Sequence, residues 1–358
     1  MIDVALCMLT LVPGGMGGSE TYARELTRQL HGIPDLRAVA YVPRSAQGFS
    51  RGIPETVVNR IRGKSSTPER LRSVITATAF SRSIRQRMSG AAIVHYPFTV
   101  PAPRPSRHQS FIQTVLDVQH LDHPELFSGA ELVYRKYFYD APARRADLII
   151  TISEFAKQRI MHHLGIAPER ITVAHLGVDR SQFVPNYGAR EDFVLYPARS
   201  WPHKNHARLV KAMTLLRRER PSLRLVLTGG GLDALKGLPD WVERRGLIPA
   251  DQLRSLYQRA AVMVFPSLYE GFGLPPLEAM ASGCPVAASA LGAIPEVCGD
   301  AAVLFDPRDP GAIAKGILQA IERGPVLSRT GGDQVAKFTW EHCRDLHVEA
   351  YREVIRRR

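Results

Sequence analysis

At 358 residues the chain exceeds the size at which one hydrophobic core usually stops growing, so two domains are the expectation. Its 45% apolar and 23% charged residues are those of an ordinary soluble globular protein, and no apolar run approaches the ~20 residues that span a bilayer. The net charge of +13 rests on 39 Arg and only 8 Lys; such a surface attracts anions, whether nucleotide-sugars, anionic lipid or nucleic acid.

The first eleven residues, "MIDVALCMLTL", lack the basic region and cleavage site of a signal peptide and read as a first core strand. A glycine loop, "GGMGG", leads into "SETYARELTRQL", a helix with Ser19 as its cap and Tyr22, Leu26 and Leu30 on one face. "RSIRQRM" at 82–88 falls in a helical stretch starting near Thr67, with Leu71, Val74, Ile75, Phe80 and Ile84 interspersed. It reads as a core helix with a solvated basic face, docking on an anionic membrane surface being the sharper alternative. "AVAYV", "AAIVHY", "SFIQTVLD" and "DLIITI" supply further strands, and Ser153 caps the helix "SEFAKQRIMHHL". The turn-rich stretch from His175 to Asp192 reads as an interdomain linker.

A second alternating series follows. "FVLYPA", "LRLVLTGG", "AVMVFPS", "PVAAS" and "AAVLF" are strands; helices run from Asn205 to about Arg218, Asp251 to Ala260, Pro275 to Ala281 and near Pro310 to Arg323. Strands alternating with helices argue for parallel sheets with crossover helices, and open α/β sheets bind ligands at the carboxyl ends of their strands. The terminal "TWEHCRDLHVEAYREVIRRR" is a long helix that could cross back onto the first domain. The resulting organisation is residues 1–178, residues 179–339 and a closing helix over 340–358. Cys7, Cys284, Cys298 and Cys343 form no C-x-x-C pair and no metal-ligand spacing, and read as buried thiols in a reducing compartment.

The most informative stretch is "AVMVFPSLYEGFGLPPLEAM", a buried strand, a loop and a helix start. Gly271 and Gly273 let backbone amides approach a ligand, the prolines suit a first helical turn, and the helix end adds positive charge where phosphate is favoured. Glu270 sits on the loop and Glu278, eight positions on, in the helix. Carboxylates accept from sugar hydroxyls, while amides and cations suit phosphate. In "YPARSWPHKNHARLVKA", Arg199 follows a strand and Lys204 stands at a helix start, a cationic pair placed to stabilise a departing diphosphate without a metal.

On these motifs, together with "DLIITISEFAKQRI", "VAHLGVD", "LTGGG" and "GAIPEVCGDAAVLFDP", the sequence resembles the retaining family 4 glycosyltransferases over essentially its whole length. The resemblance implies a GT-B architecture: two Rossmann-like doubly wound α/β domains facing an interdomain cleft. It implies Glu270 on the donor hexose, amides of Gly271, Phe272 and Gly273 on its hydroxyls, and Leu274 near phosphate. Glu278 would take the ribose hydroxyls, Arg199 and Lys204 the diphosphate, and Leu247 with Ile248 the base. Gly17 and Gly18 would approach the diphosphate from the first domain.

"TVLDVQHLDHPELFS" concentrates Asp117, His120, Asp122 and His123. Many relatives carry histidine directly before the aspartate, where this chain has Leu116; Asp117 and His120 are the candidates for contacting the donor sugar's outer hydroxyl. A loop bonded only to itself is the bland alternative and a zinc site the sharp one, although the spacing matches no usual zinc site. The expected activity is retaining transfer of a hexose from a nucleoside-diphosphate sugar, UDP- or GDP-linked, to a hydroxyl of a glycan, a lipid-linked glycan or a small molecule. No cofactor or metal is expected beyond the donor, and the location is cytoplasmic or peripheral at the inner membrane face. A nucleotide-sugar epimerase of similar shape is the alternative. Nucleic-acid binding is not expected, since the arginines are dispersed and no aromatic platform accompanies them.

Overall fold

Runs rich in Val, Ile, Leu and Ala without polar alternation belong to strands buried on both faces, and such runs build two all-parallel sheets here. The computed structural model describes residues 1–61 and 74–358. The first sheet comprises β1 (Ile2–Cys7), β2 (Leu36–Pro43), β3 (Glu55–Val58), β4 (Ile93–Tyr96), β5 (Ser110–Thr114), β6 (Leu148–Thr151) and β7 (Ile171–Val173), in the order β3-β2-β1-β4-β5-β6-β7. The second comprises β8 (Glu191–Pro197), β9 (Arg224–Thr228), β10 (Val242–Arg244), β11 (Ala260–Phe265), β12 (Val286–Ser289) and β13 (Val303–Phe305), ordered β10-β9-β8-β11-β12-β13. Both orders are doubly wound: the chain builds outward from β1 or β8, then returns and builds the other way from β4 or β11. Two Rossmann-like α/β units result, one of Met1–Leu176 with Trp340–Arg358, the other of Gly177–Thr339.

Every strand read from a long apolar run is present. Three of the four edge strands, β3, β7 and β10, were not anticipated, because "ETVV", "ITV" and "VER" are too short to carry a pattern. The Gly324–Val335 helix was also not anticipated, its sequence holding one proline and three glycines. Ser153 caps its helix, accepting from the amide of Ala156 at 3.0 Å. Ser19 does not cap: the first helix runs Gly18–Gln29, and its cap position is Gly17 at φ 57°, ψ −131°, a conformation open essentially to glycine alone. Glu20 instead reaches back and accepts from the amide of Gly14 at 2.8 Å. Tyr22, Leu26 and Leu30 are buried as their spacing implies. Ile84 and Met88 are buried under the exposed arginines Arg82 and Arg87; the start of that stretch, including Leu71, lies outside the described residues. Among the described residues no helix is long and apolar enough to cross a membrane. All four cysteines are free and buried, and burial pushes their thiols up to about 12.

The Trp340–Arg356 helix is fastened to the first sheet by a buried polar chain whose direction follows from neutral imidazoles. His347 Nδ1 lies 2.7 Å from the carbonyl of Cys343, so it donates there and leaves Nε2 to accept from the Tyr22 hydroxyl at 2.8 Å. Tyr22 then accepts from Thr114 Oγ1 at 3.0 Å, and Thr114 accepts from His95 Nε2 at 2.7 Å. His95 Nδ1 is left to accept from Tyr351 at 2.8 Å. The pattern requires both imidazoles to be neutral. Burial holds His347 down to about 4 and His95 well below the usual histidine range, the neighbouring imidazole reinforcing the latter.

Stability should therefore fall with acid. A ring kept neutral in the fold, but protonating near 6.5 when unfolded, stabilises fully above 6.5 and loses its contribution as pH falls towards about 4. At about 1.36 kcal/mol per pH unit, His347 alone accounts for roughly 3 kcal/mol. Urea unfolding at pH 7 and pH 4.5 measures this, and a His347→Gln variant should show the shallower pH dependence.

Candidate functional site

In the second sheet the chain leaves β8 towards one edge and β11 towards the other, so the loops following these adjacent strands diverge at their carboxyl ends, where open α/β sheets take ligands. Arg199 lies two residues beyond β8, Lys204 ends a short turn after it, and Glu270 lies five residues beyond β11. Lys204 Nζ sits 2.5 Å from Glu270 Oε1, with 14% of each side chain exposed. The ammonium also stands 5.3 Å from the centroid of the Phe265 ring at the end of β11. Two residues assigned to different parts of a donor are thus brought into direct contact with each other.

Asn205 makes that contact possible, and sequence reasoning missed it. It adopts the left-handed conformation at φ 64°, and it is 5% exposed. Its Nδ2 donates to the carbonyls of Pro266 at 3.0 Å and Pro307 at 2.7 Å, tying the loop after β8 to those after β11 and β13. Its Oδ1 accepts from Arg208 at 3.1 Å. The Lys204 carbonyl accepts from the Tyr196 hydroxyl at 2.7 Å, and Leu268 donates to the His203 carbonyl at 2.8 Å. The only sequence signal was an asparagine directly before a helix, which suggests a cap and not a three-loop tie. Next to it His206 packs on Tyr196 at 4.9 Å, and burial, followed by the Lys204 charge, holds it down to about 4.

Backbone crowding fixes the remaining pieces. A Cβ on Gly292 would lie 2.8 Å from the Glu270 carbonyl oxygen, and the amide of Ala293 donates to that oxygen at 3.1 Å. A Cβ on Gly229 would lie 2.4 Å from the carbonyl oxygen of Ala198, so β9 exits flush against the Arg199 turn. The Arg199 guanidinium lies 5.7 Å from the centre of the Trp201 ring. Gly273 caps the Leu274–Ala281 helix at φ 116°, where a Cβ would meet Ile294 at 2.6 Å. Pro275 and Pro276 follow, so the amide of Leu274 is the one donor the first three helical residues present.

Other predicted residues lie apart from this pair. Glu278 accepts from the Tyr257 hydroxyl at 3.1 Å, and burial raises its pKa, against the opposing effects of that bond and of Arg254. Phe272 is buried with its ring edge-on to Phe338, so its side chain serves the core while its amide stays on the loop. Leu247 is 76% exposed, beside Ile248 in the turn after β10. On the first unit, Gly17 caps and Gly18 begins the Gly18–Gln29 helix that follows β1, and both are exposed. The "DVQHLD" turn after β5 does not act as one cluster. Asp117 accepts from the amide of Gln119 at 3.0 Å, and His120 pairs with Asp140 at 2.9 Å. Asp122 accepts from Arg159 and from His163 at 2.8 Å, and His123 pairs with Glu125 at 3.0 Å. Among the described residues no three His, Cys, Asp or Glu side chains converge as a metal site requires.

The family described as Glycosyltransferase Family 4 matches residues 16–182, and that described as Glycosyl transferases group 1 matches residues 191–323. O-antigen chain mannosyltransferase B of Escherichia coli is 31% identical over 273 residues, 69% of this chain and 71% of that protein. The MMP alpha-(1->4)-mannosyltransferase of Mycolicibacterium hassiacum is 33% identical over 230 residues, 60% of this chain and 56% of that protein. Among solved structures, sucrose-phosphate synthase from Thermosynechococcus elongatus superposes over 100% of both chains with a TM-score of 0.81 at 20% identity. Anabaena HepE, in complex with UDP and glucose, superposes over 99% of this chain and 100% of that one, with a TM-score of 0.76 at 18% identity.

Replacing Asn205 by Ala should strand two buried carbonyls and force an alanine into left-handed backbone, a loss of roughly 2–4 kcal/mol. Asn205→Gly keeps the backbone conformation and loses only the bonds, so its denaturation midpoint should fall between those of Asn205→Ala and the parent.

Proposed function

Because the chain belongs to the glycosyltransferases of GT-B architecture, we propose that it moves a hexose, with retention of configuration, from a nucleoside-diphosphate sugar to a hydroxyl of a glycan or lipid-linked glycan. The observation that carries this reading is the Lys204–Glu270 pair at the switch point of the second sheet, with Arg199 on the same strand end. Lysine carries three donors and no acceptor, so Lys204 can turn from Glu270 to the phosphate oxygens when a diphosphate arrives. Glu270, pinned through its backbone, is left to accept from hexose hydroxyls, and the amides of Gly271, Gly273 and Leu274 complete the hold. Leu247 and Ile248 are assigned to the base, and Glu278, beneath Tyr257, to the ribose. The mannosyltransferases among its relatives make GDP-mannose the first donor to test and UDP-glucose the second.

In the proposed reaction the acceptor oxygen forms its bond to the anomeric carbon on the face from which the diphosphate leaves. The acceptor's proton passes to the departing phosphate oxygen, so no strong protein base is needed. Negative charge grows on the diphosphate as its bond breaks, and Arg199 with Lys204 meets it from fixed positions, which is where electrostatic stabilisation acts most strongly. This arrangement does the work for which a bound metal would otherwise serve. Transfer is favoured over epimerisation because the relatives named above transfer glycosyl groups. The exposed Arg82 and Arg87 support a location at the anionic inner face of a membrane, where lipid-linked acceptors reside.

Release of GDP from GDP-mannose, or of UDP from UDP-glucose, in the presence of a mannoside acceptor tests the reading. Arg199→Ala and Lys204→Ala should each lower kcat by about 10²–10³ with the fold intact by circular dichroism. Unchanged rates in both variants would remove the diphosphate role from this pair.

A further inference from the structure

The two cations of the candidate site are held by different means. Lys204 is paired with the Glu270 carboxylate, which neutralises its charge. Arg199 lies against a ring, its guanidinium carbon 5.7 Å from the centre of the Trp201 indole. The difference matters for binding an anion. A carboxylate takes up both charge and N–H donors. An aromatic face engages the flat of a guanidinium, uses none of its five N–H groups and leaves its charge in place.

The turn after β8 is shaped for that contact. Trp201 stands directly before Pro202, which favours extended backbone, and it adopts φ −73°, ψ 147°. Its carbonyl accepts from the amide of Lys204 at 2.9 Å, so the indole and the ammonium belong to one short turn. The His203 ring stands beside the indole, 5.7 Å between centroids. The arginine's stem runs along the glycine turn after β9, where a Cβ on Gly230 would lie 3.8 Å from Cγ and Nη1 of Arg199. Ser200 laces the two turns together. Its amide donates to the Gly230 carbonyl at 3.1 Å and its hydroxyl to that of Gly231 at 2.5 Å.

Trp201 contributes little to the core, since it is 51% exposed. A half-exposed indole on the strand end that carries both cations has a use there. An arginine loses rotamer freedom when it grips a phosphate, and one already stacked has lost part of it beforehand. We propose that Trp201 is a positioning residue: it stacks Arg199 ready for the diphosphate, without taking up its charge or its N–H groups, and acts on the ligand through Arg199 alone. The proposal rests on the glycosyltransferase reading for its ligand, a nucleoside diphosphate.

A double-mutant cycle in the full-length protein tests it, read by calorimetric titration of GDP, UDP and inorganic pyrophosphate. Trp201→Ala should weaken all three by about three- to tenfold, the size of a half-exposed cation–π contact. Trp201→Phe keeps a ring and should recover most of that loss. In an Arg199→Ala background, Trp201→Ala should cost nothing further. Urea midpoints check that the fold is kept, and Trp201→Phe against Trp201→His carries the comparison if the alanine variant does not fold. Parental affinity without the ring, or an equal loss with Arg199 already gone, overturns the proposal. So does a loss confined to the nucleotides, because pyrophosphate has no base or sugar for an indole to touch. Nucleotide release from GDP-mannose or UDP-glucose that accompanies any of these results leaves the transferase reading standing. Coupling of Trp201 to Arg199 on pyrophosphate, in a protein that releases no nucleotide, counts against that reading and not against the stacking. A parent that binds none of the three ligands overturns both.

Discussion

One amide side chain fixes how three loops meet. Asn205 hydrogen-bonds the backbone leaving β11 and the backbone following β13 while itself ending the turn after β8. A parallel sheet sets where its strands end but leaves the loops beyond them free. That tie adds to the bonds of Tyr196 to the Lys204 carbonyl, Leu268 to the His203 carbonyl and Ala293 to the Glu270 carbonyl in fixing where Lys204 and Glu270 stand. With it, the ammonium and the carboxylate are held in contact before any ligand arrives. On the proposed reading this placement bears on rate, since displacements of about an ångström are enough to cost large factors.

The electrostatics of the site follow from that contact. Lys204 and Glu270 neutralise one another, which lets both be 86% covered without an unpaired charge in the protein. On the proposed reading, Arg199 and the start of the Leu274–Ala281 helix add positive potential beside the neutral pair. Pro275 and Pro276 remove two amides from that helix end and so concentrate its donors at Gly273 and Leu274. On the proposed reading, a diphosphate competes with Glu270 for Lys204, and the hexose gives Glu270 new partners as it does so. Donor binding then replaces one set of charged hydrogen bonds with another instead of desolvating bare ions.

The sequence made much of this visible, for reasons that differ by element. Long strands with continuous apolar runs were legible because burial on both faces demands them, and the doubly wound topology follows from their alternation with helices. Short edge strands such as "ITV" were not, because three residues carry no period. Glu270, Lys204 and Arg199 were recognisable as acids and bases at strand ends, but charge type and spacing cannot say that Lys204 and Glu270 touch. Asn205 looked like a helix cap; its role depends on carbonyls 61 and 102 residues away. His120 and Asp140 were separated by 20 residues and a π-helical turn, so only His120 drew notice, as one of several polar residues in a loop. The buried chain from Tyr351 through His95, Thr114 and Tyr22 to His347 is long-range throughout and left no local trace.

The central claim, that Glu270 and a diphosphate compete for Lys204, is tested most directly by calorimetric titration of GDP and UDP into the parent and into Glu270→Gln. Removing the competing carboxylate charge while keeping its shape should tighten binding of the bare nucleoside diphosphate several-fold, even as sugar transfer falls. Binding of both nucleotides that is weakened, or left unchanged, by Glu270→Gln would contradict the account.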